Sequence, residues 1–342
     1  MKHRASQPAM MRIAIAGAGG FSQILAQQIS QTAHALLVLS RRPRPELEEY
    51  CPGCQVAVVT YDDVENLRYT LQGVDLVISA IAGNEQLNLI DAARRARVRV
   101  FVPSEFEGDL AHRPAQDDDP LDRGSQSALQ LLESWSQPSS KAQQQQHHHH
   151  HHHRLRYTVF SCGVFMERFG PGGLQAYGIG AGCGVQGPDD YLVNVQEARA
   201  EIIPVGPGGG GSARPVKISM TSVYDVAQFV TAALDLGLDS WPREFRMRGD
   251  TVTAQELVEA CSAAVGLPFG LVVRHYHEVE AQAEACRQRG DWAQWLYFQR
   301  LLQTANGRYH VRQPNLNEAI PQVQPLTFRS WLEHVWGNAA AV

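Results

Sequence analysis

Lysine is nearly missing from this chain of 342 residues. Only Lys2, Lys141 and Lys217 are present, against 27 arginines. Any mechanism that needs an amine therefore has few places to draw one from. None of the ten tyrosines has a lysine four residues further on. This excludes the Tyr-x-x-x-Lys device, in which an ammonium lowers a tyrosine's pKa for proton transfer. Cysteine is scarce too: six in 342 residues do not make a disulfide scaffold. No apolar run approaches the ~18–20 residues that span a bilayer. Basic charge is not in excess either, the formal net charge being −5 and spread along the chain. That disfavours nucleic acid, whose binders normally carry a basic face. The opening MKHRASQPAMM is basic, but the apolar stretch after it, Ile13 to Gly20, is short and glycine-rich. It reads as a buried strand entering a turn rather than a signal peptide, and a cytoplasmic globular protein is expected.

What is present is alternation. Apolar runs at 12–18, 36–39, 55–59, 74–80 and 98–102 are separated by helix-like segments at 22–30, 62–72 and 86–96. Strands alternating with helices mean βαβ units, and so an α/β, Rossmann-type, doubly wound parallel sheet. A helix at 125–134 and a strand at 156–160 are expected to continue it. Between them, Gln143–Gln146 and His147–His153 offer no apolar face and are expected to form a disordered, removable loop. The second half has another texture. Gly170–Gly187 is glycine-rich, GPGGGG at 206–211 reads as a flexible turn, and 222–236, 253–265 and 276–304 have helical periodicity. Thr253 with Glu256 predicts a capping box. The expected organisation is a flexible 1–10, a dinucleotide-binding domain over 11–165 and a smaller substrate-binding region over 166–342.

Gly17-Ala18-Gly19-Gly20-Phe21-Ser22-Gln23 sits between the first strand and the first helix. There, glycines let the backbone approach a pyrophosphate at a helix N-terminus. Gln23 stands where a third glycine is usual. At the end of the second strand an acid would bind the ribose 2′-OH of NAD, whereas arginine suits the 2′-phosphate of NADP. The chain reads Ser40-Arg41-Arg42-Pro43, with no acid until Glu46. NADP(H) is the expected cofactor.

Val74–Asp109 (VDLVISAIAGNEQLNLIDAARRARVRVFVPSEFEGD) resembles the isoflavone-reductase-like and NmrA-like families, which are atypical short-chain dehydrogenases. The most specific part is Phe101-Val102-Pro103-Ser104-Glu105-Phe106, with Glu107 where those families have glycine. Tyr157-Thr158 with Phe165 and Phe169, Met220–Leu236, and Thr253–Leu257 extend the similarity over roughly residues 11–265. The resemblance implies cofactor contacts at the glycine turn, at Ala80 and Ile81 after the fourth strand, and at Ser104. It also implies a lysine on the helix after PSEF. Aligned there, Ser125 takes the lysine's position, and Gly163 takes that of a family asparagine. Candidate proton donors are Ser125, His112 and Asp117–Asp119, the acids being expected to be solvated. The substrate pocket is expected near PSEF, Phe165–Leu174 and the C-terminal helices.

Two other spacings are weighed and set aside. Cys51-Pro-Gly-Cys54 lacks a second pair for zinc and is expected to be incidental surface cysteine. His275-Tyr-His277 is expected to alternate on a strand without a third ligand, so no metal is expected. The reading is an NADP(H)-dependent reductase of a small, largely apolar, aromatic-type secondary metabolite. The alternatives are an NmrA-type NADP(H) sensor without turnover, or a redox-neutral isomerase or cyclase. A homodimer or a regulatory protein partner is left open.

Overall fold

The structure, a computed structural model, describes residues 10–115, 119–137, 154–180, 191–207 and 214–337. The Gln/His tract at 143–153, Asp117 and Asp118 lie outside the described residues. Strand β1 (Arg12–Ala16) is followed by α1 (Gly20–Ile29), β2 (Ala35–Ser40), α2 (Pro45–Tyr50), β3 (Cys54–Val58) and α3 (Val64–Thr70). The pattern repeats through β4 (Leu76–Ser79), α4 (Asn84–Arg95), β5 (Val100–Val102), α5 (Ser125–Ser136) and β6 (Arg156–Tyr157). These six strands form one parallel sheet in the order β3-β2-β1-β4-β5-β6.

The sequence explains this sheet directly. Strands covered by helices on both faces cannot alternate apolar with polar residues. Ile13–Ala16, Val38–Leu39 and Leu76–Ile78 are accordingly fully buried. Helix α1 buries Phe21, Ile24, Leu25 and Ile29, the i, i+3, i+4 stripe of a helix laid on a sheet. The strand order reverses between β1 and β4. In such sheets a crevice opens at the carboxyl ends of the two strands flanking the reversal, and ligands bind there.

The expected strand 156–160 divides in two. Arg156–Tyr157 closes the parallel sheet as β6, and Val159–Ser161 becomes β7, pairing with β12 (Glu244–Arg246). Beyond β7 come β8 (Val164–Phe165), α6 (Gly173–Ala176), β9 (Val193–Asn194), β10 (Arg199–Ile202), β11 (Lys217–Thr221) and α7 (Val223–Ala233). After β12 the chain forms β13 (Asp250–Thr253), α8 (Ala254–Val265), β14 (Gly270–Val273), α9 (Tyr276–Arg289), α10 (Trp292–Ala305), α11 (Asn315–Ala319) and α12 (Phe328–Gly337). Two three-stranded sheets, β13-β11-β8 and β14-β10-β9, pack with α8, α9, α10 and α12 around Met166, Phe169, Ile218, Leu257 and Phe328.

The predicted capping box is present: the Thr253 hydroxyl accepts from Glu256 N and the Glu256 carboxylate accepts from Thr253 N. The helical stretch over 276–304 is two helices because Gly290, at φ +72°, stops α9, and Asp291 caps α10. Among the described residues no helix is long and apolar enough to cross a membrane.

The chain divides into two compact units that interleave in sequence. The first takes Met1–Glu105, Arg123–Val159 and Val230–Phe245, and holds the parallel sheet. The second takes Phe106–Asp122, Phe160–Phe229 and Arg246–Val342. A single cut after residue 165 is thus replaced by several crossings, and the second unit, expected to be the smaller, takes in more of the chain.

Two expectations about local chemistry are corrected. Cys51 and Cys54 are buried rather than on the surface, because the turn joining α2 to β3 tucks both inward. Burial raises the Cys51 thiol and pushes that of Cys54 up to about 11, so neither is a thiolate near neutral pH. His275 and His277 are not on a strand. His275 precedes α9, its N–H donating to the Glu278 carboxylate (3.4 Å), and His277 is exposed beside Glu280 (3.1 Å). Among the described residues no group of three His, Cys, Asp or Glu side chains is placed to hold a metal ion.

Candidate functional site

The chain leaves β1 at Gly17, where φ is +104°, a conformation side chains disfavour. A Cβ there would sit 3.3 Å from both Ile81 Cγ2 and Ser22 Oγ, and 3.4 Å from the Ala80 carbonyl oxygen. Glycine therefore lets the turn lie directly on Ala80 and Ile81, the residues leaving β4. Both stand at the switch point of the sheet. The Gly17 N–H donates to the Leu39 carbonyl (3.0 Å) and to the Tyr61 hydroxyl (2.9 Å), and that hydroxyl donates onward to Leu39 O (3.0 Å). Tyr61 is buried, and burial raises its pKa, so it stays a neutral strut under the turn.

Gly19 is the N-cap of α1, with no side chain to cap the first turn and no acid within it. First-turn amides have no acceptor inside the helix, and they lie at the positive end of the helix dipole. The amides of Gly20, Phe21 and Ser22 thus present the donor set that a pyrophosphate takes. Gln23, in the place of the third glycine, turns its Nε2 back onto the Ala18 carbonyl (3.2 Å) and closes the turn. The residues present fit a dinucleotide.

At the end of β2, Ser40 is buried, and its hydroxyl accepts from Arg42 N (3.3 Å). The Arg41 side chain is 71% exposed and its guanidinium lies 3.3 Å from Glu85 Oε1 on α4. Sequence reading places no acid near Arg41 before Glu46; the fold supplies Glu85 from 44 residues away. Arg42 is exposed on the same loop.

Ser104 follows β5 as the second residue of PSEF, and its N–H donates to Oε1 of the buried Gln86 (2.7 Å). Ser125 is the first residue of α5 and is half-buried. Gly124 before it is left-handed (φ +87°), and a Cβ there would lie 3.1 Å from Gly83 Cα. This close approach sets the start of α5 against the loop Ala80–Gly83. The fold thus brings Gly17, Ser22, Ala80, Ile81 and the start of α5 to one end of the first unit.

The other candidate donors lie in the second unit. His112 ends the short helical turn Leu110–His112, with Nδ1 3.4 Å from Oδ2 of the buried Asp109. Asp119 is buried, not solvated. Its carboxylate takes both oxygens' worth of contact from Arg308 Nη1 (3.1–3.2 Å), accepts from Gln303 Nε2 (2.9 Å), and faces Arg113 at 3.5 Å. An acid so committed is structural, which corrects its candidacy. Gly163 has φ +74°, and a Cβ would fall 2.1 Å from the Ser219 carbonyl oxygen, so the family asparagine cannot stand on this backbone. Tyr61, Gln86 and Glu85 escaped sequence reasoning.

A family model described as NAD(P)H-binding matches residues 17–180. The oxidoreductase swnR of Metarhizium robertsii is 32% identical over 111 residues, 30% of this chain and 35% of that protein. The match therefore spans about a third of the length of that curated relative. A solved isoflavone reductase superposes with a TM-score of 0.63 at 19% identity, over 95% of this chain and 99% of its own. Residues 17–180 thus carry an NAD(P)H-binding domain, and the chain is similar to the NmrA-like, isoflavone-reductase-like proteins. The NADPH complex of leucoanthocyanidin reductase from Vitis vinifera shares the fold at a TM-score of 0.64 and 16% identity, covering 94% of this chain and 98% of that one. The NAD(P)H-binding match agrees with the expected cofactor, and the six-stranded parallel sheet with the expected Rossmann-type fold. The only lysine among the described residues is Lys217, in the second unit. The start of α5 carries a serine instead.

Proposed function

We propose that the protein is an NADP(H)-dependent reductase of a small, largely apolar, aromatic-type metabolite bearing a carbonyl or enone. The observation that carries this reading is the Arg41 guanidinium at the end of β2, on the same sheet edge as an uncapped α1 N-terminus. The first-turn amides of Gly20, Phe21 and Ser22 would hold the pyrophosphate, and Arg41 with Arg42 the 2′-phosphate through charge-assisted hydrogen bonds. Ala80, Ile81 and Ser104 would line the cofactor's path along the carboxyl ends of β4 and β5.

When bound, reduced nicotinamide supplies a hydride; the protein supplies orientation and a proton. Ser125 Oγ is the chain's own hydroxyl at the start of α5. It would donate a hydrogen bond to a substrate carbonyl and pass on a proton taken from water. A serine is a weak acid, so this device is slower than an amine. His112 sits in the other unit beside Asp109, and no step is assigned to it.

The absence of lysine from the first unit's described residues favours a second reading, an NmrA-type sensor that binds NADP(H) and turns nothing over. NADPH oxidation followed in the presence of aldehydes, ketones and enones separates the two. Turnover that depends on Ser125 supports the reductase. Tight NADPH binding without oxidation across that panel overturns it in favour of the sensor.

A further inference from the structure

The second unit holds a cavity of about 740 Å³ that none of the chemistry above uses. It is walled by the segment before β11, the first residue of β11, and the chain that follows α10. From these come Arg214, Lys217, His310 and Arg312, with the Asn306 amide and Gly307 at the rim. Among the described residues that line it none is acidic. The volume falls within the range of small-molecule sites, roughly 300–1,000 Å³.

We propose that this cavity binds a small organic phosphate carrying at least two negative charges. Among the described residues Arg214, Lys217 and Arg312 make no ion pair. Three permanent cations on one concave wall repel each other, and a cleft lined by one sign of charge concentrates the opposite ion. Guanidinium forks match phosphate oxygens in pairs, and lysine adds a point charge.

Two structural explanations for the cations fail. The first is that they cap the C-terminus of α10, which ends at this cavity. Three of its last four carbonyls are already answered by backbone amides: Asn306 N to Leu302 O, Gly307 N to Thr304 O and Arg308 N to Gln303 O, at 2.9–3.1 Å. The second is that a neighbouring acid neutralises them. Glu256 senses the Lys217 charge, but its carboxylate is engaged by Thr253 N at 2.7 Å in the α8 capping box. The positive field also registers on His310. Burial first, then the charges of Arg312, Lys217 and Arg248, hold its pKa below the ordinary histidine value. His310 is therefore a neutral hydrogen-bonding group near neutral pH, and the charge is carried by the other three.

The proposal does not rest on the reading of the cofactor site, and the test keeps them apart. Inorganic pyrophosphate is titrated calorimetrically into the full chain, alone and saturated with NADPH. It is also titrated into the Lys217→Gln/Arg312→Gln double variant and into Arg41→Ala. Pyrophosphate binding that persists under saturating NADPH is expected. The double variant should weaken it at least tenfold while changing NADPH affinity less than twofold, and Arg41→Ala should leave it unchanged. Complete displacement by NADPH, or equal binding by the double variant, overturns the site. Citrate binding as tightly as pyrophosphate overturns the phosphate assignment. Should the double variant melt early, Arg312→Gln alone decides: that side chain is exposed, and undiminished binding there also overturns the site.

Discussion

Replacing Arg41 by alanine should separate the two nicotinamide cofactors. A charge-assisted hydrogen bond to a phosphate contributes about 1.5–3 kcal/mol. Arg41 is not free to contribute all of this, because its guanidinium lies 3.3 Å from Glu85 Oε1. Exposed pairs of this kind are worth about 0.2–1 kcal/mol, and Arg41 must loosen that one to turn toward a 2′-phosphate. The net loss in Arg41→Ala is therefore about 0.5–2.8 kcal/mol, or roughly 2- to 100-fold in NADPH affinity at 1.4 kcal/mol per decade. NADH, lacking the phosphate, should bind the variant about as well as the wild type. The same reasoning fixes the sign at the neighbouring acid. Glu85→Gln releases Arg41 and removes a carboxylate from the phosphate's vicinity, so NADPH should bind roughly 2- to 5-fold tighter while NADH changes little. Calorimetric titration of both cofactors into the three proteins reads these differences. Equal wild-type affinities for NADPH and NADH would refute the role of Arg41. Weaker NADPH binding by Glu85→Gln would refute the competition.

Three further outcomes are expected. Ser125→Ala should lower NADPH-dependent turnover about 10- to 100-fold, below the 10²–10⁴ typical of a positioned strong acid, with NADPH affinity unchanged; full activity would move the donor elsewhere. Glu167 is fully buried, accepts from the Ser222 hydroxyl (2.7 Å) and Val223 N (3.0 Å), and burial lifts its carboxyl from an ordinary 4.5 to about 7. Because the folded value lies above the unfolded one, its contribution is complete below pH 4.5 and is lost as pH rises through about 7. Melting curves across that range should show wild-type stability falling relative to Glu167→Gln, and parallel curves would contradict it. Restoring the family residue with Gly163→Asn should destabilise by about 2–4 kcal/mol, from left-handed backbone strain plus overpacking against Ser219 O; an unchanged denaturation midpoint would show that the backbone yields there.

The parallel sheet was legible because burial on both faces leaves a continuous apolar run, and runs such as 12–18 and 74–80 have no competing interpretation. Helix ends moved by one to three residues, as at α1, which begins at Gly20 rather than Ser22. Glycine there costs helix propensity, yet the tight turn at Gly17 commits the chain to helix two residues sooner. The glycine turn was legible for the same reason that it works: small residues between strand and helix have a local cause. What supports it was not. Tyr61 reaches Gly17 across 44 positions, and Glu85 reaches Arg41 across 44 more. Such pairs leave no periodicity, only a juxtaposition made by the order of the strands. Asp119 misled for the complementary reason. An acidic run reads as solvated unless the chain brings arginine to it, and Arg308 lies 189 positions away.

The proton is where sequence and fold meet without agreeing. A lysine at the start of α5 would be both acid and electrostatic anchor; the serine there offers a hydroxyl without the charge. Hydride transfer leaves an oxyanion to be stabilised, and a neutral hydroxyl stabilises it less than an ammonium does. The deficit must be met by the substrate, as in an enone whose enolate spreads the charge, or it is not met and the bound cofactor reports redox state without reacting. Reactivity should therefore rise steeply with the electrophilicity of the compound offered. A protein that reduces activated enones but not simple ketones is a reductase working through Ser125, and Ser125→Lys should extend it to the ketones. If Ser125→Lys also fails with every compound, the absence of the amine is not what limits turnover.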